Sequence, residues 1–328
     1  MKTLRLIALL FGFSGLGFGQ TAVLDQATKE PVSFAAISFN NGNGIFADDE
    51  GLFIFNKKLY PDIDSLHVSS LGYKDLKLAS EELRDTLYLT QEIDKLDEVV
   101  LFVDTYKDKD FDVEQQKPYL DDDYYKCWLP TIESEIAVLF HNPDSKAKKL
   151  STVHIPIALE SKDWEKRKKK NAEKKPFSTL FKVNFYANDH GFPGKPLLYE
   201  TVVFRVTEKD GDQFDLDVSR HSIFIPENGV FISIQVLGYT DEKGKLLPNK
   251  KYKEIKSGKG VVKIPTNFRP LLPFTNEIPS HRTFVKRVFI KDNNWVLFSK
   301  DTFGAESTLL RAGLNNYGMG VSYRVYED

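Results

Sequence analysis

Apolar and polar positions alternate with a period of two along most of this chain, and that alternation predicts strand after strand. Residues 32–39 are apolar almost throughout and are bounded by Pro31 and by Asn40-Asn41-Gly42, the pattern of a strand buried on both faces. Residues 44–47 and 52–55 flank Asp48-Asp49-Glu50-Gly51, which predicts a hairpin. Acidic residues and Gly suit such a turn because they tolerate the left-handed backbone of a tight reversal. Leu66 and Val68 then alternate with His67 and Ser69, and Leu76, Leu78 and Leu87-Tyr88-Leu89 follow. So many short strands packed into so little chain predict a small β-sandwich.

The pattern resumes further on. Val153, Ile155 and Ile157 alternate with His154 and Pro156; Phe181, Val183 and Phe185 alternate with Lys182 and Asn184; Val202, Phe204 and Val206 repeat it. Ile223-Phe224-Ile225, the turn Pro226-Glu227-Asn228-Gly229 and the run from Val230 to Ile234 predict a second hairpin. Trp295-Val296-Leu297-Phe298 and Val321-Ser322-Tyr323-Arg324-Val325 are the closing strands, and helical periodicity is confined to residues 161–175. The expected fold is all-β, a small sandwich followed by a second, larger, jelly-roll-like one.

The N-terminus adds an address. Lys2 and Arg5 precede an apolar run from Leu6 to Phe13, and small residues lead to Gly17-Phe18-Gly19, the layout of a secretory signal peptide cut after Gly19. The run is too short to span a bilayer, so no transmembrane segment is expected after cleavage. The expected organisation is a leader at 1–19, a first sandwich at 20–92, an acidic linker at 93–130 and a second sandwich at 131–328. The linker assignment rests on the acidic residues between Asp104 and Asp123, which come with few apolar neighbours. The formal charge of −2 loses Lys2 and Arg5 on cleavage to reach −4, too small a bias to point to nucleic acid. A single cysteine, Cys127, excludes a disulfide framework within the chain.

The first region also resembles a known family. The opening Asp25…Thr28-Lys29-Glu30-Pro31-Val32, Phe34-Ala35, Asp49-Glu50-Gly51-Leu52-Phe53 and the closing Asp64-Ser65-Leu66…Ser69-Ser70-Leu71-Gly72-Tyr73-Lys74 resemble the carboxypeptidase regulatory-like domain. The resemblance covers roughly residues 20–90 and departs from the family at Thr21-Ala22-Val23, where a Gly is usual. It implies a transthyretin-like seven-stranded sandwich, usually an appendage of secreted or outer-membrane proteins of Bacteroidota-type bacteria, and implies no peptidase activity. Leu96, Asp97, Glu98, Val99 and Val100 are similar to a run that follows this domain in TonB-dependent receptors, where it leads into the plug. Such a segment would pair with a partner's sheet edge; a closing or linker strand is the simpler reading. The rest of the chain resembles uncharacterised sandwich domains of the same bacteria.

Motifs for chemistry are sparse. The six histidines are scattered and none has a partner at zinc-site spacing. There is no Gly-x-Ser-x-Gly elbow and no phosphate-binding Gly loop. Asp189-His190-Gly191 is better explained as a hairpin turn than as a catalytic pair. A carboxylate pair for glycoside hydrolysis, assembled from distant strands, stays open. Trp128, Trp164 and Trp295 are the candidates for a sugar-stacking platform, with core packing the simpler reading for Trp128 and Trp295. No cofactor is expected, and Asp121-Asp122-Asp123 leaves only calcium open. The basic stretch Lys166-Arg167-Lys168-Lys169-Lys170 reads as a solvated insertion, with docking to anionic partners as its functional alternative.

These readings converge on an exported, non-enzymatic binding or scaffold protein. Its place would be the periplasm, the outer-membrane surface or the exterior, and its partner an envelope protein or a glycan. The alternatives are a polysaccharide or peptide hydrolase in the second sandwich and an accessory to a TonB-linked complex.

Overall fold

The computed structural model describes residues 20–92, 106, 109–144, 146–159, 176–248, 253–257, 260–264, 270–278, 282–290, 294–304 and 306–327. The chain is almost entirely strand and turn; its one α-helical segment among these residues is a single turn, Thr308–Arg311.

The first seven strands are β1 (Gln20–Asp25), β2 (Ala36–Ser38), β3 (Gly44–Phe46), β4 (Leu52–Ile54), β5 (Ser65–Ser69), β6 (Leu76–Ala79) and β7 (Thr86–Leu89). They form two sheets, β4-β1-β7 and β3-β2-β5-β6, with β1 and β7 parallel. Val23, Ala35, Ile37, Phe53, Leu66, Val68 and Leu89 fill the space between them.

Asp25 fixes the first corner. Its Oδ1 accepts from the backbone N–H groups of Ala27 and Thr28 at 2.7 and 2.9 Å, and its Oδ2 accepts from Gln91 and the Tyr73 hydroxyl. These donors, Thr28 foremost, hold its carboxyl at about 2.

Two expectations for this region are corrected. Residues 32–39 are largely buried, yet only Ala36–Ser38 is strand, because Phe34 takes φ 55° and breaks the run. Residues 44–55 are not a hairpin within one sheet. β3 pairs with β2, whereas β4 pairs with β1 in the other sheet, so Asp48–Gly51 is a corner between sheets. Gly51 is required there: at φ +72° its Cβ would lie 2.6 Å from the Val23 carbonyl oxygen.

The remaining strands in chain order are β8 (Asp112–Gln116), β9 (Cys127–Trp128), β10 (Ser134–Phe140), β11 (Ala147–Pro156), β12 (Ser178–Asp189), β13 (Phe192–Pro196), β14 (Val202–Thr207) and β15 (Gln213–Asp217). β16 (Val230–Tyr239), β17 (Lys253–Ser257), β18 (Gly260–Ile264), β19 (Leu272–Thr275), β20 (Thr283–Arg287), β21 (Val296–Leu297), β22 (Asn316–Tyr317) and β23 (Gly320–Tyr326) complete the chain. A seven-stranded sheet runs β13-β12-β16-β10-β20-β21, with β14 also on β12. It packs against a four-stranded sheet, β15-β11-β23-β8, and a small sheet, β22-β19-β9, over a core that includes Phe140, Phe181, Phe185, Ile155, Val321 and Phe274.

Here too a predicted hairpin is a corner. Ile223 and Ile225 hydrogen-bond to Leu150 and Lys148 of β11, while β16 joins the large sheet. Gly229 turns between them at φ +88°, its Cβ position 2.4 Å from the Phe140 carbonyl oxygen. Asp189-His190-Gly191 is the hairpin turn expected, joining β12 to β13 with His190 and Gly191 both at positive φ.

The stretch expected as an acidic linker is partly structural. Asp112–Gln116 is the edge strand β8 on β23. Asp121 accepts from the Tyr119 hydroxyl, Lys126 Nζ and the Asp123 N–H, which folds residues 119–126 into a local knot of hydrogen bonds. Its acidity is thus spent on local partners and on an exposed edge.

The two sandwiches touch through β2 and β3. Phe46 lies 5.1 Å from Phe289 ring to ring and joins the larger core, and Ser38 donates to the Phe289 carbonyl at 2.7 Å. Gly44 is necessary for that approach, since a Cβ would sit 2.4 Å from the Phe289 ring.

Candidate binding face on the seven-stranded sheet

Alternation along four adjacent strands gives the large sheet two unlike faces. Phe181, Val183, Phe185, Ile232, Ile234, Ile136, Val138 and Val285 point into the core. The intervening residues point the other way, and the register aligns them in rows. Lys182 lies opposite Gln235, Gln235 opposite Glu135, and Glu135 opposite Lys286, a polar row crossing β12, β16, β10 and β20. The next row is Asn184, Ser233, Ala137 and Phe284, followed by Tyr186, Phe231 and Leu139.

Glu135 is the hub. It is 3 % exposed, and its Oε1 accepts from the Ser233 hydroxyl at 2.6 Å, Asn184 Nδ2 at 2.7 Å and the Tyr186 hydroxyl at 2.8 Å. Its Oε2 faces Lys286 Nζ at 3.1 Å. Burial alone would raise its pKa, but the charges of Lys286 and Lys182, with the Ser233 and Tyr186 hydroxyls, outweigh burial and hold it at about 2. Burial pushes the Lys182 ammonium down, only partly offset by Glu135, and pushes the Tyr186 phenol well up. Two cations thus flank one carboxylate, leaving the row one positive charge in excess. Gln235, almost fully buried in the same row, has a side-chain Nε2 without a hydrogen-bond partner.

The other end of the face is apolar. Ala137, Leu139, Phe231 and Phe284 form a small cluster of their own, flanked by Tyr186, Trp295 and Leu297. Phe192 packs edge-on to Phe284 at 5.4 Å and remains 53 % exposed. Lys286 links the two ends, its ammonium 4.6 Å from the centre of the Trp295 ring. Trp295 therefore sits on this outer face and not in the main core, a correction to the expectation, whereas Trp128 does pack in the core against Phe274 and Phe298.

None of the site residues expected from sequence is placed here. Leu96, Asp97, Glu98, Val99 and Val100 lie outside the described residues, as do Trp164, Lys166, Arg167, Lys168, Lys169 and Lys170 and the leader at 1–19. The sequence carries a signal for Glu135: it is the one charge in the run Ser134–Phe140, where a solvated strand would alternate more evenly. Among the described residues no group of three or more His, Cys, Asp or Glu is placed to hold a metal ion, and no helix is long and apolar enough to cross a membrane.

No protein-family model matches the chain, and no curated protein matches it. Among solved structures, the cysteine protease and lectin-like domains of Cwp84, a surface layer associated protein of Clostridium difficile, align with a TM-score of 0.32 at 10% identity. That alignment covers 65% of this chain and 36% of the other, so this chain spans about a third of the length of the protein it matches.

Proposed function

We propose that this protein is an exported binding or scaffold protein of the cell envelope, and that the accessible rim of the outer face of its seven-stranded sheet, around Phe192 and Trp295, is its contact surface. The observation that carries the reading is the accessible rim of this face, where the exposed Phe192 and the half-buried Tyr186, Trp295, Lys182 and Lys286 edge a buried polar row and a buried aromatic cluster. An exposed aromatic edge beside charged hydrogen-bonding groups suits a glycan, which offers an apolar sugar face and acidic or hydroxyl groups, and suits a protein segment with an acidic residue beside an apolar one. The leader-like N-terminus and the resemblance of residues 20–90 to an appendage domain support the envelope location.

Contact rather than catalysis is favoured at this face. Glycoside hydrolysis needs two carboxyl groups, one of them protonated near neutral pH. The polar row offers one, and Glu135 is held ionised and saturated with donors.

The test is affinity capture from detergent-extracted envelopes with three baits: the mature chain, a Trp295→Ala/Phe192→Ser double variant, and a chain lacking residues 96–101. Retention of a protein or glycan by the first, reduced about tenfold or more in the double variant, is expected. Equal retention by both overturns the assignment of the face. Loss in the deletion alone moves the contact to the segment that resembles the receptor run.

A further inference from the structure

The four-stranded sheet carries a different constellation on its own outer face. Three strands bring together Asp215, His154 and Ser322. Asp215 on β15 is directly opposite His154 on β11, and Ser322 on β23 is opposite Thr152, two residues along the same face from His154. Asp215 Oδ1 lies 2.7 Å from His154 Nδ1, and Ser322 Oγ lies 2.8 Å from His154 Nε2.

The partners decide where the imidazole proton sits. An ionised carboxylate only accepts, so Nδ1 carries the hydrogen and Nε2 presents its lone pair to the Ser322 hydroxyl. Gln115 Nε2, an amide donor 3.1 Å from the same nitrogen, fits the same tautomer but shares that nitrogen's one lone pair with the closer Ser322 hydroxyl. Gln213 Nε2 donates to Asp215 Oδ1 and lies 3.4 Å from His154 Nδ1. The imidazole is 8 % exposed and held in place, whereas the Asp215 side chain is 56 % exposed and Ser322 is half-buried at the surface. A hydroxyl, a base oriented to take its proton and a carboxylate orienting that base are the parts of an activated nucleophile.

We propose that Ser322 is a nucleophile activated by His154, with Asp215 as its positioning residue, and that it accepts acyl groups from activated esters. This activity lies on the opposite sheet from the contact face and goes beyond the function proposed above. In the first half-reaction Ser322 Oγ forms a bond to the ester carbonyl carbon while its proton passes to His154 Nε2. The carbon–oxygen bond to the leaving group then breaks, and the departing phenol takes that proton. In the second half-reaction water attacks the acyl-serine as His154 Nε2 accepts a proton from it. That proton passes to Ser322 Oγ as the acid leaves, and the free hydroxyl is restored.

The substrate class follows from what surrounds the nucleophile. The backbone N–H groups of β23 are committed to β11 on one side and β8 on the other, so no free pair of backbone donors awaits an oxyanion. The exposed Gln115 amide, through the N–H it does not direct at His154, is the donor at hand. Each missing oxyanion donor costs about 10²–10³-fold in rate, which restricts the site to esters with good leaving groups, such as aryl esters, and leaves amides out of reach.

The full mature chain is treated with a fluorophosphonate probe and, separately, with p-nitrophenyl acetate. The adduct is expected at Ser322 by peptide mass mapping, with p-nitrophenol release abolished in Ser322→Ala. In His154→Ala both signals should fall about 10²-fold or more, with partial recovery on adding imidazole. Because His154 is nearly buried, Asp215→Asn supplies a second, surface variant. It should lower kcat with KM unchanged while near-ultraviolet circular dichroism stays native. Absence of a Ser322 adduct, or labelling at the same rate in Asp215→Asn and Ser322-bearing wild type, overturns the proposal. Envelope capture by Ser322→Ala is expected to match wild type, so failure here is separable from failure of the contact face.

Discussion

The two sheets of the second sandwich are made by the same alternation but differ in how far the carboxylates beyond the core are taken out of water. On the seven-stranded sheet, Glu135 is buried, ionised and bonded on both oxygens, with Lys286 and Lys182 beside it. On the four-stranded sheet, Asp215 is more than half exposed and engages one imidazole and one amide. The contrast shows that a carboxylate's role is set by its desolvation and not by its place in the strand pattern. Where water is excluded, a charge must be fully compensated and becomes structural; where water reaches it, it stays free to serve a neighbour.

The largest expected effect breaks this contrast at its hub. Glu135→Ala leaves Lys182 and Lys286 without their shared counter-charge in a buried row, which should cost about 3–5 kcal/mol in equilibrium urea unfolding. A loss below about 1 kcal/mol would mean that the row is hydrated and the two faces are alike. Acid titration gives the next largest effect. The folded-state pKa of Glu135 is about 2 against 4.5 for the free group, so the unfolded chain binds the proton first as pH falls. Its stabilisation is complete above about pH 5 and is lost on the way down to about pH 2, a change of about 3 kcal/mol that Glu135→Gln should flatten.

A third test addresses the corner that joins the two sheets. Gly229→Ala places a Cβ against the Phe140 carbonyl at a positive φ, and should cost about 2 kcal/mol with both faces otherwise intact. The smallest effect is expected on the exposed face: Asp215→Asn should change stability by less than about 1 kcal/mol, as exposed ion pairs do. Comparable losses from Glu135→Ala and Asp215→Asn would erase the distinction.

How much of this was legible in the sequence follows from what a local pattern contains. The strands around Val153, Phe181, Val202 and Val321 were readable because alternation is a property of neighbouring residues. The reversals at Asp48–Gly51 and Pro226–Gly229 were readable as turns, because acidic residues, Pro and Gly set the local backbone. Which sheet each arm joins was not, since that depends on partners such as Ala22 and Lys148, far away along the chain. The same limit hid both faces. Glu135, Lys182, Gln235 and Lys286 become a row only through the register of four strands, and Asp215, His154 and Ser322 meet across three. β8 reads as linker because an exposed edge strand with Asp112 and Glu114 has the composition of a solvated segment.

The central claim is that the molecule makes its contacts through the aromatic and cationic face of the larger sheet. Hydroxyl-radical footprinting of the chain from Gln20 onward, alone and with detergent-extracted envelope material, tests it most directly. The account predicts protection of Phe192, Tyr186 and Trp295 in the bound state, with oxidation of Phe111, which packs on Tyr326 of the four-stranded sheet, unchanged. Protection confined to the first sandwich or to the β8 side, with Phe192 and Trp295 as reactive as in the free protein, would contradict it.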